Sequence, residues 1–488
     1  MRLLLALICG AIYPLGLAPF DLWPVTLLAI AGLFWLLDGA PRPMLLAWLF
    51  GVGKYGVGAS WIYVSIHVYG NASPLLAGSL VLLFVVGLAL FVLPIGWFWQ
   101  RYARGASMGI KAGVFIFAWL LMDWVLTWLF TGFPWLYPGY AVMDTWLLGW
   151  APLVGVLGVG AMCLLSAVGG VAAVRLRRPW LAGWALLPWL AGLGLAQISF
   201  TTPVETRTVA LVQGNIAQST KWQRDMAVPI LETYSRLSAP HWAADILVWP
   251  EAAITFYPSQ IEPWLGQMDR HARATDTSFV TGIPTARESS PGAYERFNAV
   301  IGRGLASGTF AKVHLVPFGE YVPLQGVLRG VIDFFDLPMS SMSAGDRAQP
   351  NLQVDGVGLA AAVCYEIAYP DSFRQRARDA GLLATLSNDT WFGGSIGPHQ
   401  HLQIARMRAV ENGRWLLRAT NNGITALVDE RGRVIERLPQ DRAAVLTGQV
   451  QIRSQLTPYT WLGDWPVLGL MVIALGVVVV QERRVADG

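Results

Sequence analysis

Charge is scarce in this chain. Asp, Glu, Lys and Arg make up 14% of its 488 residues, while apolar types make up 54%. A soluble domain is ordinarily about one-quarter charged, so an ordinary cytosolic enzyme is excluded, and so much apolar surface excludes disorder. Cysteine is scarcer still: Cys9, Cys163 and Cys364 are all there are, and the first two lie in apolar runs. No disulfide framework is available. Lysine has been nearly displaced by arginine, so that between residues 200 and 463 only Lys221 and Lys312 accompany 22 arginines. The net charge is +4 and no basic run occurs, which argues against a nucleic-acid partner. Internal repeats and low-complexity tracts are also missing.

The few charges are unevenly spread, with 13 of the 66 in residues 1–200. There the chain carries seven apolar stretches, roughly 3–19, 23–38, 44–66, 75–99, 112–130, 147–174 and 181–199, and an eighth follows at 464–480. Each approaches the ~20 residues a spanning helix needs. Arg2, Arg42, Arg101, Arg104, Lys111, Arg175, Arg177, Arg178, Arg483 and Arg484 all fall in alternate connections. The other connections, 18–23, 66–74 and 130–146, hold no Lys or Arg. The positive-inside rule then places both termini in the cytoplasm and residues 200–463 outside, on the periplasmic face of a bacterial inner membrane. The expected organisation is seven transmembrane helices over 1–199, an external domain over 200–463, and an eighth helix with a cytoplasmic tail over 464–488. Lys54 and Asp123 are the charges inside spans, at similar depth. Such a charge costs about 2.5–3.5 kcal/mol to insert, and the two are expected to neutralise each other. A transporter would need more intramembrane polar groups than these.

The external domain alternates short β-rich runs with amphipathic stretches. Strands are predicted at 209–215, 246–250, 278–283, 299–303, 310–315, 359–365, 382–387, 416–420 and 425–429, and helices near 226–237, 260–274, 371–380 and 399–413. This alternation suits a layered α/β domain. Gly393–Gly397 does not join a strand to a helix as a dinucleotide loop does. His399 and His401 lack the further ligands a metal site needs, so no metal is expected. Arg406, Arg408, Arg414 and Arg418 are expected to form a solvated or ion-paired surface.

Cys364 stands apart. Outside the cytoplasm free thiols normally pair or oxidise, and this one has no partner cysteine in its domain. It is either a reactive thiol or a small buried hydrophobe. A thiol nucleophile needs a base and a group that holds an oxyanion. Glu251 follows one strand-like run and Lys312 another, and each by itself could equally be a solvated surface charge.

Glu251 in Trp249-Pro250-Glu251, Lys312 ahead of Pro317-Phe318-Gly319-Glu320, and Cys364 in Val363-Cys364-Tyr365-Glu366 occur in that order. Together they resemble the Glu-Lys-Cys triad of the nitrilase, or carbon–nitrogen hydrolase, superfamily. Trp61–His67, Gly132–Leu136, Val212–Ile216, Lys221-Trp222, Ser387–Phe392 and Ala419–Gly423 narrow the resemblance to the apolipoprotein N-acyltransferase family over nearly the whole chain. The resemblance implies a multi-domain membrane protein, an eight-helix bundle carrying an αββα nitrilase-like sandwich. It implies a phospholipid acyl donor, a diacylated apolipoprotein acceptor, contact with membrane lipid, and a thioester on Cys364 between two half-reactions. It implies Glu251 as general base, Lys312 as oxyanion holder and Glu320 as a second glutamate supporting them. Trp222, Tyr365, Glu366, Trp391 and Phe392 match positions near the acyl- or lipid-binding region. No cofactor is expected, since ester to amide is downhill. A cationic Lys312 should lower the Cys364 thiol pKa, and burial should raise that of Glu251. Two other outcomes remain open: a membrane-tethered amidohydrolase with water as acceptor, and a transporter whose external domain does no chemistry.

Overall fold

Residues 1–323 and 341–486 are described in the computed structural model. The chain divides into two compact units. One comprises Met1–Tyr63, Ser73–Ser199 and the segment from Thr457; the other comprises Val64–Ala72 and Phe200–Leu456.

The first unit is helical. Three helices, Pro74–Ala103, Met108–Val125 and Trp146–Leu176, are long and apolar enough to cross a membrane. Arg2–Gly16, Trp23–Leu37 and Pro179–Leu195 are shorter apolar stretches, Pro43–Gly58 is a further 16-residue helix, and Trp465–Ala486 is a helix of 22 residues. Every expected span is therefore helical, but most are shorter than expected. The first passes at Tyr13-Pro14 into a single 3-10 turn, since proline cannot continue the hydrogen-bond ladder. The third stops at Gly58 instead of reaching 66. Residues Ile62–Tyr69 form short turns of their own, and Val64–Ala72 belongs to the second unit. Helices Arg2–Ile12 and Pro43–Gly58 touch backbone to backbone, because a methyl on Gly10 would run into the Phe50 carbonyl and one on Gly53 into that of Leu7. Three basic residues expected on one face converge on Asp38. Lys111 Nζ lies 2.8 Å from its carboxylate, Arg175 pairs with the other oxygen, and Arg2 donates to its carbonyl at 3.1 Å.

Lys54 and Asp123 are both buried. The two charges act on each other without a direct hydrogen bond from Lys54 Nζ, which lies 5.0, 5.2 and 5.5 Å from the ring centroids of Tyr13, Tyr55 and Trp119. Aromatic faces offer the ammonium an attraction that survives desolvation.

Among its described residues the second unit contains thirteen strands: β1 (Thr202–Gln213), β2 (Ile246–Val248), β3 (Ser278–Ser290), β4 (Ala293–Gly304), β5 (Ala306–Ser307), β6 (Thr309–Ala311), β7 (Leu352–Val354), β8 (Val357–Val363), β9 (Leu382–Ser387), β10 (Leu416–Thr420), β11 (Ala426–Val428), β12 (Val434–Arg437) and β13 (Ala444–Ser454). They form a six-stranded sheet, β13-β1-β2-β3-β4-β6, and a seven-stranded sheet, β12-β11-β10-β9-β8-β7-β5. Side chains alternate between the faces of a strand. Val209 and Leu211 of β1 therefore join Leu359, Ala361, Val363, Leu382, Ala384 and Leu386 in the core between the sheets. Ala210 and Val212 point the other way, into a second core with Ile230, Tyr234 and Leu265 of helices Ala227–Ser238 and Glu262–Ala274. Helices Pro370–Ala377 and Gly397–Asn412 belong to the seven-stranded sheet's side. The result is an αββα sandwich.

The central strands β1, β2 and β3 run parallel, as do β8, β9 and β10. Their C-terminal ends gather the loops that follow them, the usual place for a site in an α/β domain. Arg408, Arg414 and Arg418 correct the surface expectation, since all three are buried. Helix Gly397–Asn412 ends before Arg414, and Arg418 lies on β10. Burial is compensated by partners: Arg408 pairs with Glu411 at 3.1 Å, Arg418 with Asp389 at 2.6 Å, and Arg414 Nε donates to the Ala380 carbonyl at 2.8 Å.

Candidate active site

Glu251 sits just beyond β2, Lys312 directly after β6, Cys364 directly after β8 and Asn388 directly after β9. Each is therefore fixed by a strand whose register is set in the core. Glu251, Lys312, Cys364 and Glu320 are all buried. Asn298 Nδ2 donates to Glu251 Oε1 at 2.7 Å and to Glu320 Oε1 at 2.9 Å. The Asn388 N–H donates to Glu251 Oε2 at 2.7 Å. Lys312 Nζ lies 2.7 and 2.9 Å from the two oxygens of Glu320 and 3.9 Å from Glu251 Oε1. The Val316 N–H donates to Glu320 Oε2 at 2.8 Å. Hydrogen bonds to a charged group are worth about 1.5–3 kcal/mol each, so this network holds Glu251 and Lys312 in place.

Electrostatics divides these groups. Burial raises the Glu251 pKa above its ordinary value, opposed by Lys312. Burial works against the Lys312 ammonium, but Glu320 and Glu251 outweigh it and raise its pKa, so it remains charged. The Cys364 thiol departs from the expectation. Burial, reinforced by the Glu251 charge, outweighs the opposing pull of Lys312 and pushes it up to about 12. The resting sulfur is protonated, and thiolate forms only as its proton moves to a base.

Cys364 occupies the left-handed region, at φ +53°, where a non-glycine residue costs roughly 1–2 kcal/mol. Its neighbours hold it there. Glu366 Oε2 accepts from the Val363 N–H at 3.1 Å, and Glu366 Oε1 from the Val313 N–H at 2.9 Å. Burial opposes the Glu366 charge, but Arg376, His314 and these N–H groups hold its pKa at about 2. Glu366 is thus a fully buried clamp between the Cys364 turn and the segment after Lys312. On the far side, His401 Nε2 lies 3.1 Å from the Cys364 carbonyl oxygen and Nδ1 lies 3.0 Å from Asp389.

The remaining expected residues are placed as follows. Tyr365 is buried, with its ring edge-on to Tyr369. Phe392 is buried and edge-on to His401. Trp391 is half-buried, its ring edge-on to Tyr69 and its carbonyl accepting from Ser65 Oγ at 2.7 Å. Trp222 is half-buried beside Lys221. Asn298 and Asn388 were not singled out in the sequence as site residues, because an asparagine carries no chemistry until a carboxylate is known to face it. Lys221 stands out in the sequence for its rarity and as part of the Lys221-Trp222 motif, without a role of its own. It is fully buried, and its Nζ donates to the Glu251 carbonyl at 3.1 Å.

A buried carboxylate, ammonium and thiol gathered at the strand ends of an αββα sandwich define a carbon–nitrogen hydrolase-type protein, and the carbon–nitrogen hydrolase family matches residues 208–459. Residues 9–169 match the apolipoprotein N-acyltransferase N-terminal domain. Over 99% of its length the chain is 45% identical to the apolipoprotein N-acyltransferase of Azotobacter vinelandii, covering 96% of that protein. It is 42% identical to the one of Pseudomonas syringae pv. tomato, covering 98% of this chain and 97% of that. The one of Photobacterium profundum is 39% identical, over 99% and 96%. The chain belongs to the apolipoprotein N-acyltransferase family.

Proposed function

We propose that this protein moves an acyl chain from a phospholipid, through a thioester on Cys364, to the α-amino group of the diacylglyceryl-cysteine of an apolipoprotein. The observation that carries the reading is one buried site in which Lys312 lies 3.9 Å from Glu251 and Glu366 ties the backbone beside Lys312 to the backbone beside Cys364, in a chain related from end to end to acyltransferases. Glu251 takes the thiol proton as sulfur attacks the ester, and Lys312 holds the oxyanion. The proton then passes to the departing lysophospholipid oxygen, and the kinetics are ping-pong. Glu320 keeps Lys312 aligned. Trp222, Tyr365, Trp391 and Phe392 border the acyl chain, and Glu366 serves them by fixing the Cys364 turn. The protein inserts in the bacterial inner membrane through eight helices, seven within 1–199 and one within 464–488, with residues 200–463 as a periplasmic catalytic domain. The Asp38 cluster supports one cytoplasmic side for Arg2, Lys111 and Arg175.

Intact mass of the purified protein after incubation with phospholipid tests this. One acyl chain should appear on Cys364, with release of lysophospholipid, and hydroxylamine should strip it. Cys364→Ala and Glu251→Gln should gain nothing. Lys312→Met should load about 10²–10³ times more slowly, as when one oxyanion donor is lost. Rapid release of free fatty acid without an amine acceptor points to the hydrolase instead, and no adduct on Cys364 ends the acyltransferase reading.

A further inference from the structure

The amide-forming half-reaction carries a proton that the Glu251–Cys364 pair has no place for. In the loading step the thiol proton passes through Glu251 to the leaving alkoxide, and the protein ends as it began. In the discharge step the acceptor arrives as an ammonium at neutral pH. Two of its protons must leave before the amide forms. One travels through Glu251 back to the departing sulfur, restoring the thiol. The other is surplus. It has to be removed first, because an ammonium has no lone pair with which to attack. Water as acceptor poses no such demand.

Lys312 is unsuited to receive it. Both oxygens of Glu320 hold that ammonium within 3 Å, and the carboxylates keep it charged. Lys221 is placed differently. It is fully buried on the short helix Gln218–Lys221, and its Nζ donates to the main-chain oxygen of Glu251 at 3.1 Å. Among the described residues no carboxylate lies within ion-pair distance of it, so nothing fixes its charge. Glu251 and Cys364 are the titratable groups that act on it, both as partial supports for the cation.

We propose, on the basis of the acyltransferase reading above, that Lys221 is a second catalytic base, which takes the surplus proton from the α-ammonium of the acceptor before the freed amine attacks the Cys364 thioester. The N–H bond of the ammonium breaks, its electron pair stays on nitrogen, and the proton joins the Lys221 amine. The C–N bond then forms as the C–S bond breaks, and Lys221 later releases the proton to solvent. Burial lowers the Lys221 pKa to about 8 against the pull of Glu251 and Cys364, which leaves a usable fraction of neutral amine near neutral pH. The two buried lysines of the site thus divide the work: one holds a permanent charge and the other moves a proton.

The test separates the half-reactions in full-length Lys221→Met and Lys221→Arg, since arginine keeps the charge but does not release a proton. Each should still load Cys364 from phospholipid, with a far smaller loss than in discharge, and a loaded protein also shows that it is folded. Discharge to a diacylated peptide amine at pH 7 should fall about 100-fold or more, the usual worth of a positioned base. Discharge to hydroxylamine, unprotonated at that pH, should be unchanged, and the deficit with the peptide should shrink as pH rises. Loading that falls as far as discharge, peptide discharge at the wild-type rate, or full rescue by Lys221→Arg would each overturn the assignment while leaving the thioester intact. A wild-type protein that never gains an acyl chain overturns the acyltransferase reading itself, and this one with it.

Discussion

Lys312 is hydrogen-bonded to Glu320 and only loosely paired with Glu251: its Nζ is 2.7 Å from Glu320 Oε2 and 3.9 Å from Glu251 Oε1. The second glutamate takes up the ammonium, and the first stays basic enough to accept a proton. Glu320→Gln removes that competition, so Lys312 should be drawn onto Glu251 and stabilise its carboxylate. Acyl loading, followed as the burst of lysophospholipid, should fall about 10–100-fold, the loss typical when a group orienting a reacting residue is removed. Glu320→Asp should recover part of it. An unchanged burst would mean that Asn298 alone sets the geometry.

Loading should have a one-sided pH profile. Glu251 must be ionised to accept a proton, and burial raises its pKa above the ordinary 4.5. The rate should therefore rise with pH through an inflection above that value. Lys312 stays protonated and the thiol does not ionise until about 12, so no descending limb should follow in the neutral or mildly alkaline range. A profile that climbs only at strongly alkaline pH would show that free thiolate, and not Glu251, limits the step.

Glu366 should behave as a structural carboxylate. Its pKa falls from 4.5 to about 2 on folding. A lowered carboxylate pKa adds stability that is complete above the unfolded value and is lost as pH drops through the folded one. Near neutral pH that is worth about 3 kcal/mol at 1.36 kcal/mol per pH unit. Glu366→Gln should lower the thermal midpoint in detergent at pH 7, and the gap to wild type should close as pH approaches 2. A variant as stable as wild type at pH 7, with weaker lipid binding, would return Glu366 to a substrate role.

Trp391 and Phe392, adjacent in sequence, should part company. Phe392 is buried and packs on His401 beneath Cys364, so Phe392→Ala should cost about 3–5 kcal/mol, as core aromatic truncations do. Trp391 is half-buried and precedes Gly393, at φ +52°. Trp391→Ala should leave the thermal midpoint near wild type and slow loading. Equal destabilisation by both would make the pair plain core.

The loop charges predict that a reporter after Arg178 is cytoplasmic and one near Ser289 is external. Labelling by a membrane-impermeant reagent should reach only the second. Both sites on one side would overturn the orientation.

The sequence by itself determined the division into an apolar helical part and a layered α/β part, because hydrophobic periodicity and charge density are properties of local stretches. Each of the nine predicted strands and four predicted helices of the second unit overlaps an observed element, but the one at 310–315 shrinks to Thr309–Ala311 and leaves Lys312 just outside it. Strands β5, β7, β12 and β13, three of them at sheet edges, do not show in the sequence pattern, since short or half-exposed strands carry little apolar signal. Cys364 was legible as a lone thiol, and Glu251 and Lys312 as its companions through their order along the chain. Distance and dielectric were not legible. Lys312 does pull the thiol pKa down, as expected, but the net shift depends on how deeply the sulfur is buried and on Glu251, which together outweigh it. The fold alone turned Arg408, Arg414 and Arg418 inward, set aromatic rings around Lys54, and brought Lys221 to the backbone of Glu251, 30 residues away. Each of these is a matter of which side chains meet across distant segments, and that is decided by packing, not by any local pattern a single stretch of sequence can carry.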